Sequence, residues 1–104
     1  MNSKKTENKK LIQAILALKT KEEAKRFLCD LMTPKEILEF SNRLRAAEML
    51  TEGVSYVVIE EETGLSSTTV ARVSKCLNGK EGGYRTIIGR FHHHNPIQLQ
   101  RGLS

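Results

Sequence analysis

One segment, residues 59–77, limits the possible folds of this chain more than any other. Its sequence, IEEETGLSSTTVARVSKCL, predicts two short helices joined by a tight turn at Gly64, because glycine takes a positive φ without steric cost. The apolar spacing of the second helix is i, i+3 and i+7, which forms one buried stripe. The side chains predicted to face inward are Ile59, Thr63, Leu65, Val70, Val73 and Leu77. This layout is a helix-turn-helix.

The opposite face of the second helix carries side chains of another kind, which are Thr68, Ala71, Arg72 and Lys75. In a helix-turn-helix, the second helix can lie in the DNA major groove with its N-terminal residues on base edges. Any helical hairpin also needs a glycine and two apolar stripes, so a hairpin that only packs is the alternative. We favour DNA binding because hydroxyl, small and cationic side chains share one exposed face.

The size and composition of the chain indicate one small domain. With 104 residues, 38% of them hydrophobic and none of them Trp, we expect a partner subunit to help complete the core. No apolar run approaches the ~20 residues that span a bilayer, and the basic N-terminus is not followed by a signal-peptide cleavage site. We therefore expect a cytoplasmic protein. Cys29 and Cys76 lie among apolar residues, so both are expected to be buried thiols.

The net charge of +5 is unevenly distributed. Residues 1–26 hold eight Lys/Arg and three Glu, residues 27–78 hold five Lys/Arg and eight Asp/Glu, and residues 79–104 hold four Lys/Arg and one Glu. The segment that contains the helix-turn-helix is therefore net acidic. This argues against a purely electrostatic nucleic-acid binder and fits a protein that adds cations from an N-terminal arm or a second subunit.

Helical periodicity and capping patterns continue along the chain. After a polar start, a first amphipathic helix is predicted over residues 11–18. A capping box at residues 20–23 starts the second helix, and another at residues 33–36, with Pro34 at the first helical position, starts a third that ends near Gly53. The third helix is apolar over most of its circumference, which favours burial in a dimer interface over wrapping by its own neighbours.

The predicted helix-turn-helix covers residues 55–78. Ser55 is expected to cap its first helix, and Ser66 or Ser67 its second. A glycine-rich linker after it predicts a hinge, and a last short helix is predicted from Tyr84 to Phe91. The fold class that follows is all-α, with about six helices.

The predicted organisation is one DNA-binding domain over residues 1–91 and a flexible tail over residues 92–104. Three adjacent histidines begin the tail, which are His92, His93 and His94. Neighbouring residues rarely converge on one ion without a further ligand nearby, so no metal site is expected. The chain offers no nucleophile with a spaced base, no paired carboxylates and no cofactor loop. We therefore expect neither an enzyme nor a cofactor.

Several motifs occur in a recognisable order: LMTPKE before a long helix with NRLR, then TEGVS, then TTVARV, and CLNG followed by GGY. In this order and spacing, residues 8–91 resemble the Trp-repressor superfamily, most closely its YerC/YecD branch. The resemblance implies a homodimer of all-α chains whose N-terminal helices interlock between subunits. It also implies DNA-binding transcriptional regulation. The resemblance, and not the residues themselves, further implies DNA half-sites about one helical turn apart. The Trp repressor is a standard example of this docking geometry.

The resemblance also implies an effector site. Thr33, Arg43 and Arg72 fall where the Trp repressor uses a threonine and two arginines to hold tryptophan. Val73 replaces a glycine that leaves room for the ligand, and Cys76 replaces a serine near its amino group. A filled pocket and an unpaired ammonium cost several kcal/mol, so tryptophan is not expected as co-repressor. Either arginine could instead bind a phosphate. It could also form an intramolecular pair with Glu39, Glu48 or Glu52.

The same resemblance implies which residues meet DNA. The predicted DNA-binding residues are Tyr56, Ser66, Ser67, Thr68, Ala71, Arg72 and Lys75. Of these, the resemblance puts Ser67, Thr68 and Ala71 opposite base edges. Val57 replaces an arginine that reads guanine in the Trp repressor, so a different operator is expected. The run from Glu60 to Glu62 would repel a phosphate if it faced one, and we favour a solvated face that points away.

The leading hypothesis is a dimeric, sequence-specific DNA-binding regulator, expected to be a repressor. Thr68 and Arg72 would contact bases. Lys75, Tyr56 and the basic N-terminal arm would contact phosphates of double-stranded DNA. The alternative is a dimeric helical protein-interaction module that uses the same hairpin without specific DNA binding, which the acidic central segment favours.

Overall fold

The computed structural model describes residues 2–93, with side chains for residues 5–92, and this part of the chain is entirely helical apart from turns. The helices are α1 (Asn2–Ala17), α2 (Lys21–Leu31), α3 (Pro34–Thr51), α4 (Tyr56–Thr63), α5 (Ser67–Leu77) and α6 (Gly83–His93). The predicted all-α class with about six helices is confirmed.

The first helix is longer than the apolar pattern predicts. That pattern begins near Leu11, whereas α1 begins at Asn2. The added turns are rich in lysine, which has a high intrinsic helix propensity and needs no apolar neighbours when it is solvated. The basic N-terminal segment is therefore helical, not an extended arm.

The predicted capping box of α3 is present, and that of α2 forms with one partner shifted. The N–H of Glu36 donates to Thr33 Oγ1 at 3.1 Å, and the N–H of Thr33 donates to the Glu36 carboxylate at 2.9 Å. At α2, the N–H of Glu23 donates to Thr20 Oγ1 at 3.1 Å. Its carboxylate, however, accepts the N–H of Lys19 at 2.9 Å, one residue earlier than a standard box. These bonds satisfy first-turn donors that a helix leaves without partners.

The third helix ends as its sequence predicts. α3 stops at Thr51, and Gly53 takes a φ of 83° soon after it. Ala46 and Ala47 are fully buried, whereas Leu38 and Phe40 remain exposed. Within a single chain, α3 is therefore covered on one side and leaves part of its apolar surface in solvent.

The C-terminal unit, residues 38–104, contains the hydrophobic core. Its buried side chains are Ala46, Ala47, Ile59, Thr63, Leu65, Val70, Val73, Leu77 and Ile88. All six inward-facing residues of the predicted helix-turn-helix are among them. The sides of α4 and α5 that face the core were thus predicted correctly.

The N-terminal unit, residues 1–37, has no buried side chain among its described residues. Six of its large apolar side chains are exposed, which are Leu11, Ile12, Ile15, Leu16, Leu28 and Leu31. Helices of this length obtain most of their stability from tertiary packing. Within this unit, no described side chain is fully buried by such packing.

Both cysteines are exposed, so the expected burial of their thiols is wrong. Apolar neighbours in sequence do not imply a shared helix face, because adjacent residues of an α-helix differ by roughly 100° around its axis. Cys76 directly precedes the buried Leu77 and lies outside the stripe that packs into the core.

The last helix is longer than predicted at both ends. α6 extends from Gly83 to His93, so His92 is helical, not the start of a tail. Ile88 is buried and packs α6 into the core of the C-terminal unit. His94 and the rest of the predicted tail lie outside the described residues.

Gly64 ends α4 at a φ of 75°, and its replacement is expected to cost stability. Gly64→Ala should lower the free energy of unfolding by about 1–2 kcal/mol, because an L side chain is strained in the left-handed region. Gly89→Ala is the control, since Gly89 lies inside α6 with nothing within 4 Å of an added Cβ. That change should stabilise the chain by up to about 1 kcal/mol. Urea denaturation measures both, and equal destabilisation would contradict this account.

Candidate nucleic-acid interface

Hydroxyl side chains fix the first helix and the turn of the helix-turn-helix. Ser55 Oγ accepts the N–H of Val58 at 3.4 Å and caps α4, as predicted. Thr63 Oγ1 donates to the carbonyl oxygen of Ile59 at 2.7 Å and accepts the N–H of Leu65 at 3.2 Å. A threonine at the end of α4 is buried because both of its hydrogen-bonding roles are satisfied there.

Ser66 is the residue that caps α5. Its Oγ accepts the N–H of Thr69 at 3.1 Å, and its hydroxyl also donates to Thr69 Oγ1 at 3.0 Å. The Ser66 hydroxyl therefore already has hydrogen-bond partners in the first turn of α5. Ser67 is the first residue of α5, and its side chain is exposed.

The outer face of α5 has the composition that the sequence predicts. Its exposed residues are Ser67, Thr68, Ala71, Arg72 and Lys75. The inner face holds Val70 and Val73, of which Val73 is only 2% exposed. Because the inner stripe is anchored in the core, the outer face is presented on a fixed helix and not on a loop.

The start of α4, the first helix of the pair, carries two further exposed side chains. Tyr56 is its first residue and is exposed, so its phenol is accessible to a phosphate. Val57 follows and is 63% exposed. An exposed valine at this point offers an apolar surface in place of a hydrogen-bond donor.

The predicted effector residues are engaged in different ways. The Thr33 hydroxyl caps α3 from within the N-terminal unit. Arg43 pairs with Glu39 at 3.2 Å and stacks over the ring of Phe40 at 5.3 Å, so the alternative of an intramolecular pair holds for Arg43. Arg72 forms no ion pair or hydrogen bond with the described residues.

Tyr84 is a half-buried residue of the C-terminal unit to which the sequence reasoning gave no role. It packs against the core and lines, with Leu44, Cys76 and Ile87, an apolar cavity of about 520 Å³. Burial raises the pKa of the Tyr84 phenol above its ordinary value, the neighbouring Cys76 thiol adds to this, and Arg43 and Arg72 act against it. The phenol is therefore close enough to both predicted effector arginines to interact with them.

The raised pKa of Tyr84 predicts a loss of stability in alkaline solution. The unfolded chain releases this proton near pH ~10, and the folded chain does so only at higher pH. The stabilisation by Tyr84 is therefore complete below that pH and declines as pH rises through the folded pKa. Tyr84→Phe has no such proton and should lose less stability over the same interval. Urea denaturation of both proteins on either side of pH ~10 measures this, and parallel pH profiles would contradict it.

An arginine of α3 holds the end of α4. Arg45 donates to the backbone oxygen of Glu62 at 3.0 Å and pairs with the carboxylate of the same residue at 3.0 Å. One carboxylate of the acidic run is therefore neutralised within the chain, and Glu61 is exposed. Sequence periodicity could not reveal this contact because the two residues are 17 positions apart.

A second arginine holds the end of α5. Arg85 Nη1 donates to the backbone oxygen of Leu77 and, at 2.9 Å, to that of Gly79. The glycine-rich linker, residues 79–83, is thus fastened by the helix that follows it. Whether the linker bends in solution stays a prediction.

Neither a metal-ligating group nor a membrane-spanning helix is found among the described residues. Its His, Cys, Asp and Glu side chains form no group of three or more that could hold a metal ion. His94, the last of the three histidines, lies outside the described residues. None of the described helices is long and apolar enough to cross a membrane.

Comparison with known proteins gives a match over most of the chain. The family model for the Trp repressor protein matches residues 6–92. This chain belongs to the Trp repressor family. The family is named for a regulator, not for an enzyme, and membership confirms the resemblance drawn from the order of the motifs.

Relatives of this family member extend the match to individual proteins. The uncharacterized protein YerC of Bacillus subtilis is 45% identical over 80 residues, which are 77% of this chain and 77% of YerC. A TrpR-like protein from Eubacterium eligens superposes with a TM-score of 0.74 at 42% identity, over 81% of this chain and 87% of that one. A Trp-repressor-type protein from Staphylococcus aureus gives a TM-score of 0.77 at 37% identity, over 84% and 87%. This family member therefore has a helical fold of the DNA-binding regulator type.

Proposed function

We propose that this member of the Trp repressor family is a sequence-specific DNA-binding transcriptional regulator that acts as a homodimer. The observation that carries the proposal is the outer face of α5. Its hydroxyl, small and cationic side chains are exposed, while the opposite face of the same helix is anchored in the core. Such a helix fits the DNA major groove with its N-terminal residues toward base edges.

Each exposed side chain has a role that follows from its chemistry. Arg72 can donate two parallel hydrogen bonds to guanine, and the Thr68 hydroxyl can donate to or accept from a base edge. Lys75 and Tyr56 suit phosphate oxygens, which fix register but carry no sequence information. Ser67 and Ala71 present small side chains that allow close approach. The basic half of α1 adds positive charge that the acidic central segment lacks.

The uncovered N-terminal unit supports the homodimer. Its apolar side chains remain in solvent in the single chain, and Leu16 is 78% exposed. A second copy of the chain would cover such a surface and would also present two copies of α5 to a two-fold symmetric site. Sedimentation equilibrium should give about twice the 11.7 kDa of one chain.

Regulation by tryptophan is not part of the proposal. Val73 fills its position in the core, Arg43 is paired with Glu39, and the Tyr84 phenol lies near both predicted effector arginines. A free amino acid would have to displace the Arg43–Glu39 pair to reach the guanidinium. We propose that the regulator does not respond to tryptophan and that it acts as a repressor.

One observation favours the other candidate, a protein-interaction module. Val57 and Val58 are both exposed on α4, and exposed apolar pairs occur at protein interfaces. The acidic run from Glu60 to Glu62 gives this candidate less support, because the Glu62 carboxylate is paired with Arg45 within the chain.

Selection of bound sequences from a random duplex pool tests the proposal directly. We expect a sequence with two related half-sites to be enriched, and log K for it should fall linearly with log salt concentration. Retention of no duplex at low salt would overturn DNA binding. Binding to a helical protein with weak salt dependence, and to no DNA, would instead support the interaction module.

A further inference from the structure

We propose that Arg85 is a positioning residue for DNA recognition, because its guanidinium fastens the C-terminal end of α5. The inference rests on the proposed function and adds a second element, α6, to the reading of DNA. Arg85 itself lies outside the predicted DNA-binding set. It would act through α5, not by touching DNA.

The contacts of Arg85 supply hydrogen-bond donors to backbone oxygens at the C-terminal end of α5. The last backbone oxygens of a helix have no partner within it, and they carry partial negative charge. One nitrogen of the guanidinium, Nη1, donates to the oxygen of Leu77, the last residue of α5, and to that of Gly79 at 2.9 Å. Charge-assisted hydrogen bonds of this kind are stronger than neutral ones. The end of α5 is therefore fixed to α6.

The linker is shaped to accommodate the guanidinium. Gly82 has a φ of 72°, and a Cβ placed on it would lie 3.2 Å from Nη2 of Arg85. A side chain at this position would be strained and would also press on the arginine. Gly79 is close to backbone as well, since its Cβ would lie 3.2 Å from the backbone oxygen of Lys75. Gly82 therefore leaves room for the guanidinium, and Gly79 leaves room for the backbone at the end of α5.

The helix that carries Arg85, α6, is itself anchored in the core. Ile88 lies three positions after Arg85, on the same side of α6, and is only 3% exposed. The guanidinium thus joins α5 to a helix that is anchored in the core. Lys75 and Arg72 lie two and five residues before Leu77, so a change in the position of the helix end would reorient both side chains.

The C-terminal end of α4 is held by an arginine in a similar way. Arg45 of α3 donates to the backbone oxygen of Glu62 near the end of α4. Both helices of the helix-turn-helix therefore have their C-terminal ends held by an arginine from a neighbouring helix. Arg45 contacts one backbone oxygen and a carboxylate, whereas Arg85 contacts two backbone oxygens and is the better test of positioning.

The experiment compares Arg85→Met with Arg90→Met in the full chain. Arg90 lies on the same helix, is exposed and forms no ion pair or hydrogen bond with the described residues, so both variants lose one positive charge from α6. On the sequence selected by the wild type, Arg85→Met should bind about tenfold more weakly, which corresponds to one charge-assisted hydrogen bond. Arg90→Met should stay within about twofold, because a distant exposed charge is screened by salt.

Two further readouts separate positioning from loss of folding. Arg85→Lys keeps the charge but has a single donor nitrogen on a flexible stem, so it should fold and show an intermediate affinity with an altered base preference in a repeated selection. Amide hydrogen exchange without DNA should show lower protection in the last turn of α5 for Arg85→Met but not for Arg90→Met. Equal affinities and equal base preferences of the Arg85 and Arg90 variants would overturn the inference. If the wild type binds no DNA, the proposed function fails and the inference fails with it, whatever the exchange data show.

Discussion

Replacement of Arg72 by alanine is expected to weaken binding to the selected DNA by about 1–3 kcal/mol and to relax base preference at one position. The guanidinium is exposed on the outer face of α5, and no ion pair within the described chain occupies it. Its full donor capacity is therefore available to a base. Affinity measured on the selected site and on its single-base variants gives both quantities.

Lys75→Ala is the matched control for that prediction. Lys75 lies three residues further along the same face of α5, and a lysine suits a phosphate as a point charge. Its loss should weaken all sequences about equally and reduce the slope of log K against log salt by about 1. If Arg72→Ala behaves in this uniform way, Arg72 contacts a phosphate and not a base. Unchanged affinity and an unchanged footprint would remove Arg72 from the interface.

The largest expected effect on stability comes from Ile59. Its side chain is fully buried in the core beneath the helix-turn-helix. Ile59→Ala should lower the free energy of unfolding by about 2–5 kcal/mol, since it removes buried methyl groups and leaves a cavity. Urea denaturation measures the change at a single protein concentration, because association would make the midpoint depend on concentration.

Val57→Ala on the same helix provides the comparison. Val57 is exposed, so its truncation should change the free energy of unfolding by no more than about 0.5 kcal/mol. A large loss at Val57 would show that a second copy of the chain covers this surface. A small loss at Ile59 would contradict the packing of α4 onto the core.

Local interactions account for what could be predicted well. Thr33 and Glu36 are three residues apart, so the pattern alone identifies the cap of α3 and the bonds that form it. Helical spacing likewise predicts that Val70 and Val73 face inward and that the opposite face is exposed. In both cases the partners are within one turn of each other along the chain.

Contacts between distant parts of the chain account for what was missed. Arg45 pairs with Glu62, and the positive charge of Arg72 acts on the pKa of the Tyr84 phenol. No spacing rule connects such pairs, because their approach depends on how separate helices pack. The burial expected for Cys76 was wrong for a related reason, since its position around α5 mattered more than its apolar neighbours.

The sequence by itself determined the all-α class, the capped helix starts, the turn at Gly64 and the division of α5 into a buried and an exposed face. These features depend on backbone preferences and on interactions between residues a few positions apart. Only the tertiary structure decided which charged side chains form ion pairs within the chain and which contacts hold the ends of α4 and α5. Arg85 illustrates the reason, because its two backbone partners are defined only after α6 has packed beside α5.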